Sequence, residues 1–303
     1  MVTQSNRRRR RLQRLGLAVA TIYAMILSAV VGGCADRLIL YPTNQPIQAD
    51  GIERHTITCQ DKTVEIWYCK SAGVTQHQPP QAYVLSFVGN ASRAEWTAPF
   101  FAKDWGSRPV EVWAVNYPGY GGSEGPARLR SMAPVALAAY DALYAVAADK
   151  PIFIDARSIG TAAGLYGAAL RKVAGCVLHN PPPLRRLILG RFGWWNLWLL
   201  AGPVSLSIPS ELDSIANAKS VSAPAVFMLA GADEVVPPGY QKLVVDAYAG
   251  PKRLVHLPGA GHNDRAEGDA LIQEQAGLDW LWQSAGLSSA EPGSSDAAPH
   301  GGD

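Results

Sequence analysis

The first 33 residues contain no acidic side chain, and the whole chain is sparing with charge, at 17% Asp, Glu, Lys and Arg. Cysteines number four in 303 residues, and no internal repeat is visible. With 48% hydrophobic residues, so little charge excludes wholesale disorder. The length suits one large domain or two modest ones. The body also lacks excess positive charge. Six arginines (Arg7 to Arg11, and Arg14) fall in the acid-free start, and removing six from the net charge of +2 leaves −4 on the remainder. A mildly acidic body has no electrostatic footprint for nucleic acid.

What the start does contain is ordered like a targeting segment. A five-arginine run precedes an apolar stretch from Leu15 to Val31, followed by Gly32, Gly33 and Cys34. A charged region, an apolar region and small residues before a cleavage point describe a signal peptide over residues 1–33. Val31-Gly32-Gly33-Cys34 resembles the lipobox of bacterial lipoproteins. That resemblance implies cleavage before Cys34, lipidation of Cys34 and an extracytoplasmic, membrane-anchored body. Ala35 after the cysteine resembles the pattern sorted to an outer membrane. The alternative is an uncleaved transmembrane anchor, because the apolar run comes close to spanning a bilayer.

Residues 34–52 read as a linker. Residues 53–59 and 63–69 read as two short strands around a turn at Gln60-Asp61-Lys62-Thr63. An extracytoplasmic setting permits a Cys59–Cys69 disulfide, although simple hairpin register puts Cys59 opposite about residue 64. Cys176 lies in an apolar strand and reads as core. From Ala82 onward, a non-alternating apolar strand (82–88) and further strands (110–116, 151–156, 175–178, 225–230, 252–257) are separated by helical stretches at 93–105, 131–148, 159–172, 239–249 and 266–284. Strands apolar on both faces, alternating with helices, predict an α/β architecture: a mostly parallel twisted sheet with helices on both faces and an antiparallel leading hairpin. The domain is expected over 53–283, with a Ser-, Ala- and Gly-rich disordered tail at 284–303.

Residues 181–223 interrupt this rhythm after the sixth strand, and are far longer than an ordinary connection. Trp194, Trp195 and Trp198 lie in this insertion. They read either as buried packing or as a lid-like cover over an acyl pocket or a membrane surface.

Ala156-Arg157-Ser158-Ile159-Gly160 joins an apolar strand to a small-residue helix, the context of a nucleophile elbow. A serine hydroxyl needs a base to accept its proton, and the base needs an acid to orient it. Asp233 and His262 each stand just past a later strand, where open parallel sheets build their sites. Other histidines fit less well. His179 precedes any plausible acid, His256 lies inside a strand, and His55, His77 and His300 are in edge or loop contexts. Asp264 and Glu234 are the alternative acids. The loop Val88-Gly89-Asn90-Ala91-Ser92 follows an early strand. There the Asn90 amide, with that of Ile159 after the serine, is a candidate oxyanion hole.

Together, 88–92, Asn116-Tyr117-Pro118-Gly119-Tyr120-Gly121-Gly122-Ser123-Glu124-Gly125, the elbow, Gly231-Ala232-Asp233 and Gly261-His262 resemble the α/β-hydrolase superfamily. They are most similar to its depalmitoylase-like subgroup, which carries H-G-N-A, R-G-Y-G-x-S-x-G and G-x-S-x-G. Val88 stands in place of the subgroup's His, Ala156 in place of Gly and Pro118 in place of Arg. The resemblance implies a serine hydrolase acting on an ester or thioester of a small-molecule or lipid-like acyl group, with no metal or organic cofactor. A peptidase or amidase, or a non-catalytic scaffold, are the competing readings.

Overall fold

The computed structural model describes residues 2–194 and 198–288. Eight strands form one sheet: β1 (Glu53–Cys59), β2 (Lys62–Lys70), β3 (Ala82–Phe87), β4 (Val110–Val115), β5 (Ile152–Arg157), β6 (Gly175–His179), β7 (Ala225–Ala230) and β8 (Lys252–Leu257). Their order is β1-β2-β4-β3-β5-β6-β7-β8. The β1–β2 and β2–β4 pairs are antiparallel and the rest parallel.

The uniform apolarity of the central strands follows from two buried faces. Tyr83, Leu85, Phe87, Ile154 and Cys176 enter a core under α4 (Leu129–Ala147) and α5 (Gly160–Leu170). Their alternate neighbours Val84, Phe153 and Val177 pack with Trp105 of α3 (Ala94–Trp105) and Trp282 of α10 (Gly268–Ser284) on the other face. Every strand residue from Ala82 to Phe87 is buried, so helices must cover both sides.

The leading hairpin is tighter than expected. Gln60 and Asp61 both take left-handed φ, +49° and +59°, giving a two-residue turn with Cys59 opposite Lys62. Cys69 pairs with Val112 at the far end of β2, roughly 20 Å along the ribbon. Both cysteines are free thiols, and Cys176 is a buried one.

Residues 2–29 form helix α1 (Val2–Ala29), and a kink at Gly33, φ +102°, leads to α2 (Ala35–Ile39). The Asn6–Ala29 part is the one helix, among the described residues, long and apolar enough to cross a membrane. The stretch expected as a linker is stitched to the body instead. The Asp36 carboxylate accepts the N–H of Leu129 at 2.9 Å, capping α4. The N–H of Gly121 donates to the Thr43 carbonyl at 2.9 Å, and the Arg93 guanidinium donates to the Gln45 carbonyl.

Among its described residues, the 181–223 insertion forms three short α-helices, α6 (Leu184–Phe192), α7 (Ala201–Leu206) and α8 (Ser214–Ala218), and a 3-10 turn at Ser210–Leu212. The sheet resumes at β7, followed by α9 (Pro238–Ala247). Trp194 and Trp198 are exposed, not buried packing. Trp195 and the greater part of the expected tail, from residue 289 on, lie outside the described residues.

Candidate active site

The strand-to-helix junction after β5 is held in a strained turn. Ser158 has φ +52°, a left-handed conformation that costs a non-glycine residue about 1–2 kcal/mol. Its surroundings over-determine it. The Ser158 N–H donates to the His179 carbonyl at 2.8 Å, and the Ser158 carbonyl accepts from the Thr161 N–H and hydroxyl at 2.9 and 2.7 Å. The turn also needs Gly160, where a Cβ would come within 2.3 Å of the Phe87 carbonyl oxygen and 2.6 Å of that of Val88. At the other small position the chain carries Ala156. Room for its methyl comes from the helix, because a Cβ on Gly164 would lie 3.0 Å from the Ala156 Cβ.

Two loops at the carboxyl ends of β7 and β8 meet this serine. His262 Nε2 lies 2.8 Å from Ser158 Oγ, and His262 Nδ1 lies 2.7 Å from Asp233 Oδ2. The Asp233 side chain has no exposed surface. Its Oδ1 accepts the N–H groups of Val235 and Val236, both at 2.8 Å, and its Oδ2 also accepts from Gln241 Nε2 at 3.2 Å. With this carboxylate ionised, Nδ1 carries the imidazole proton and Nε2 is left to accept the serine hydroxyl.

The alternatives raised by the sequence go elsewhere. His179 pairs with Asp155 at 3.1 Å on the face beneath α3, where Asp155 also accepts from Trp105 Nε1 at 3.3 Å. Asp264 accepts the Gly261 N–H at 2.7 Å, closing its own loop, and Glu234 is exposed. The strand containing His256 is antipodal in role: its imidazole is exposed on edge strand β8, and His256 pairs in register with Leu229.

Two residues not anticipated from the sequence hold the histidine loop. Asn180, also left-handed at φ +48°, donates from Nδ2 to the His262 carbonyl at 3.0 Å and accepts the Ala230 N–H at 2.8 Å. It thereby ties the ends of β6, β7 and the His262 loop. Arg157 donates from Nη2 to the carbonyls of His262 and Asp264 at 3.4 and 3.2 Å. No motif marks either contact, because it depends on which strands lie side by side.

Asn90 faces the serine across a cavity of about 440 Å³. Its side chain is engaged at both polar atoms. Nδ2 donates to the Ile39 carbonyl at 2.5 Å, and Oδ1 accepts from the N–H groups of Tyr41 and Ala91 and from the Tyr120 hydroxyl, at 2.9, 3.1 and 3.0 Å. The backbone amide remains the candidate donor of Asn90. Ile159 is the N-cap of α5, where the Thr161 and Ala162 amides already find acceptors in the turn, so the Ile159 amide stands at an unsatisfied helix start. Tyr41, Trp96, Phe100, Phe101 and Val235 give the cavity an aromatic and aliphatic wall, and none of its lining comes from the described residues of 181–223. Among the described residues no cluster of His, Cys, Asp and Glu suits a metal ion.

Known structures share this architecture at low identity. An esterase from Pyrococcus furiosus superposes with a TM-score of 0.57 at 13% identity, over 81% of this chain and 97% of that one. A serine hydrolase homologue from Coxiella burnetii gives 0.53 at 16%, over 78% and 100%. Est1E from Butyrivibrio proteoclasticus, solved with ferulic acid, gives 0.57 at 16%, over 77% and 99%. This is the α/β-hydrolase fold. At these identities the likeness establishes the architecture and nothing finer. No family profile matches the chain. By sequence it is similar to two uncharacterized Mycobacterium tuberculosis proteins, each 30% identical over 181 residues. The match covers 59% of this chain and spans 62% of the length of those relatives.

Proposed function

We propose that the chain is a serine hydrolase that cleaves a carboxylic ester or thioester through an acyl-Ser158 intermediate. The observation that carries this is the unbroken pair of hydrogen bonds from Ser158 through His262 to Asp233. In the first half-reaction His262 Nε2 takes the Ser158 proton as Oγ attacks the carbonyl carbon. Asp233 stabilises the imidazolium that forms. The backbone amides of Asn90 and Ile159 hold the oxyanion. Collapse expels the alcohol or thiol, protonated by His262. Water then attacks the acyl-enzyme with His262 again as base, and the carboxylic acid leaves.

The aromatic wall of the cavity supports an apolar acyl group. The H-G-N-A-like loop and the elbow support a place in the depalmitoylase-like subgroup, and the esterase and serine hydrolase neighbours support hydrolysis in general. The apolar helix in α1 and the exposed Cys34 support attachment to a membrane on its extracytoplasmic side, by a lipid on Cys34 or by the helix itself.

A fluorophosphonate probe tests the chemistry directly. Wild-type protein is expected to label covalently, and Ser158→Ala not at all. Absence of labelling in well-folded wild type would leave a scaffold that keeps the fold for binding.

A further inference from the structure

The edge formed by α6, α7 and the described residues beside them, Trp194 and Trp198 to Leu200, exposes a run of large apolar side chains. Trp194 is 69% exposed, Trp198 51%, Leu199 58% and Leu206 76%. Solvent-facing apolar side chains gathered in one run mark an interaction surface. From residue 181 to 209 there is no acid, and three arginines are present. Arg185 is tied to the Ile208 carbonyl, while Arg186 and Arg191 are exposed.

The position of this edge names its partner. Ser207, at the end of α7, lines a cleft with Val30, Gly33 and Arg128, so α7 abuts the junction where α1 meets the body. Val30 is buried in the main core, and Ile26 packs against it. Arg37, Leu38 and Arg130 are exposed around the same junction. We infer that this Trp- and Leu-rich edge seats in the interfacial layer of an anionic bilayer. The inference rests on the reading that α1 or a lipid on Cys34 holds the chain at a membrane. Either attachment leaves the bilayer surface within a few residues of Gly33, and hence beside α7. Tryptophan partitions to the headgroup level, leucine below it, and arginine pairs with anionic headgroups.

The seating has a consequence for access. Arg191 donates to the Val235 carbonyl at 3.2 Å, and Val235 lines the Ser158 cavity. The edge thus adjoins the cavity, and its seating sets the mouth of the Ser158 cavity beside the bilayer surface.

The test uses the full chain reconstituted in vesicles of phosphatidylcholine and phosphatidylglycerol that carry brominated acyl chains. No tryptophan precedes Trp67, so α1 contributes no signal. Bromolipids are expected to quench tryptophan fluorescence, and Trp194→Ser and Trp198→Ser are each expected to remove a clear share of that quenching. Trp280→Phe, on α10, should remove none. Replacing phosphatidylglycerol by phosphatidylcholine should weaken the quenching. Quenching unchanged in both serine variants, or absent from vesicles that carry the protein on flotation, overturns the inference, as does protein that fails to float. Fluorophosphonate labelling of the same samples reports separately on Ser158 and on correct folding.

Discussion

At the scale of single residues, Asp233 shows how geometry dictates a proton's place. Its Oδ1 is pinned by two backbone N–H groups and its Oδ2 by His262. In Asp233→Asn the amide oxygen must stay with the two backbone donors, so the NH2 group faces Nδ1. The imidazole then carries its proton on Nε2 and cannot accept one from Ser158. A fall in kcat of about 10⁴-fold with KM little changed is expected, read on a chromogenic ester that the wild type turns over. Asp233 and His262 were legible in the sequence because each directly follows an apolar strand and sits in a loop of small residues. Asn180 and Arg157 were not, because their partners lie 82 and 105 residues away.

At the scale of elements, the elbow depends on close approach between β3, β5 and α5. A methyl at Gly160 would have to displace two carbonyl oxygens of the chain that leads into the Asn90 loop. Gly160→Ala is therefore expected to destabilise the fold by about 3 kcal/mol, seen as a lower urea midpoint with unchanged slope. It should also slow fluorophosphonate labelling beyond that loss, since the strain falls on the loop of the proposed oxyanion hole. Ala156 reads in the sequence as a departure from the usual glycine. The packing shows why it is tolerated: the missing side chain has moved to Gly164 on the facing helix. The 181–223 insertion was legible as an interruption of the strand-helix rhythm. Its place beside the α1 junction was not, because helical periodicity says nothing of where a helix docks.

At the scale of the whole molecule, a charged cluster lies beneath the site on the α3 and α10 face. Burial pushes the Glu274 carboxyl up from 4.5 to about 7, reinforced by Asp104 and Asp155 and opposed by His179 and Arg265. Burial likewise raises Asp104 against the pull of Arg265, and it lowers Arg157. Through Glu274 and Asp104 the folded chain therefore holds protons that the unfolded chain has released, and their contribution to stability falls as pH rises from 4.5 to 7. Glu274 alone accounts for a loss on the order of 3 kcal/mol. Glu274→Gln should flatten the pH dependence between 5 and 8 and leave the variant the more stable of the two at pH 8, by chemical denaturation at a series of pH values.

The sequence by itself determined the alternation of buried strands and helices, the elbow at Ser158, and the order serine, aspartate, histidine at successive strand ends. These are local patterns, written in residues a few positions apart and governed by side-chain period and turn chemistry. Only the tertiary structure decided that β4 lies between β2 and β3, and that residues 36–45 strap the Asn90 loop to the body. The same holds for Cys59, placed opposite Lys62 by two left-handed residues. Each of these turns on which backbone groups find one another across long stretches of chain. Hydrogen bonds of that kind are satisfied in space, and the residues that make them carry no mark of their partners.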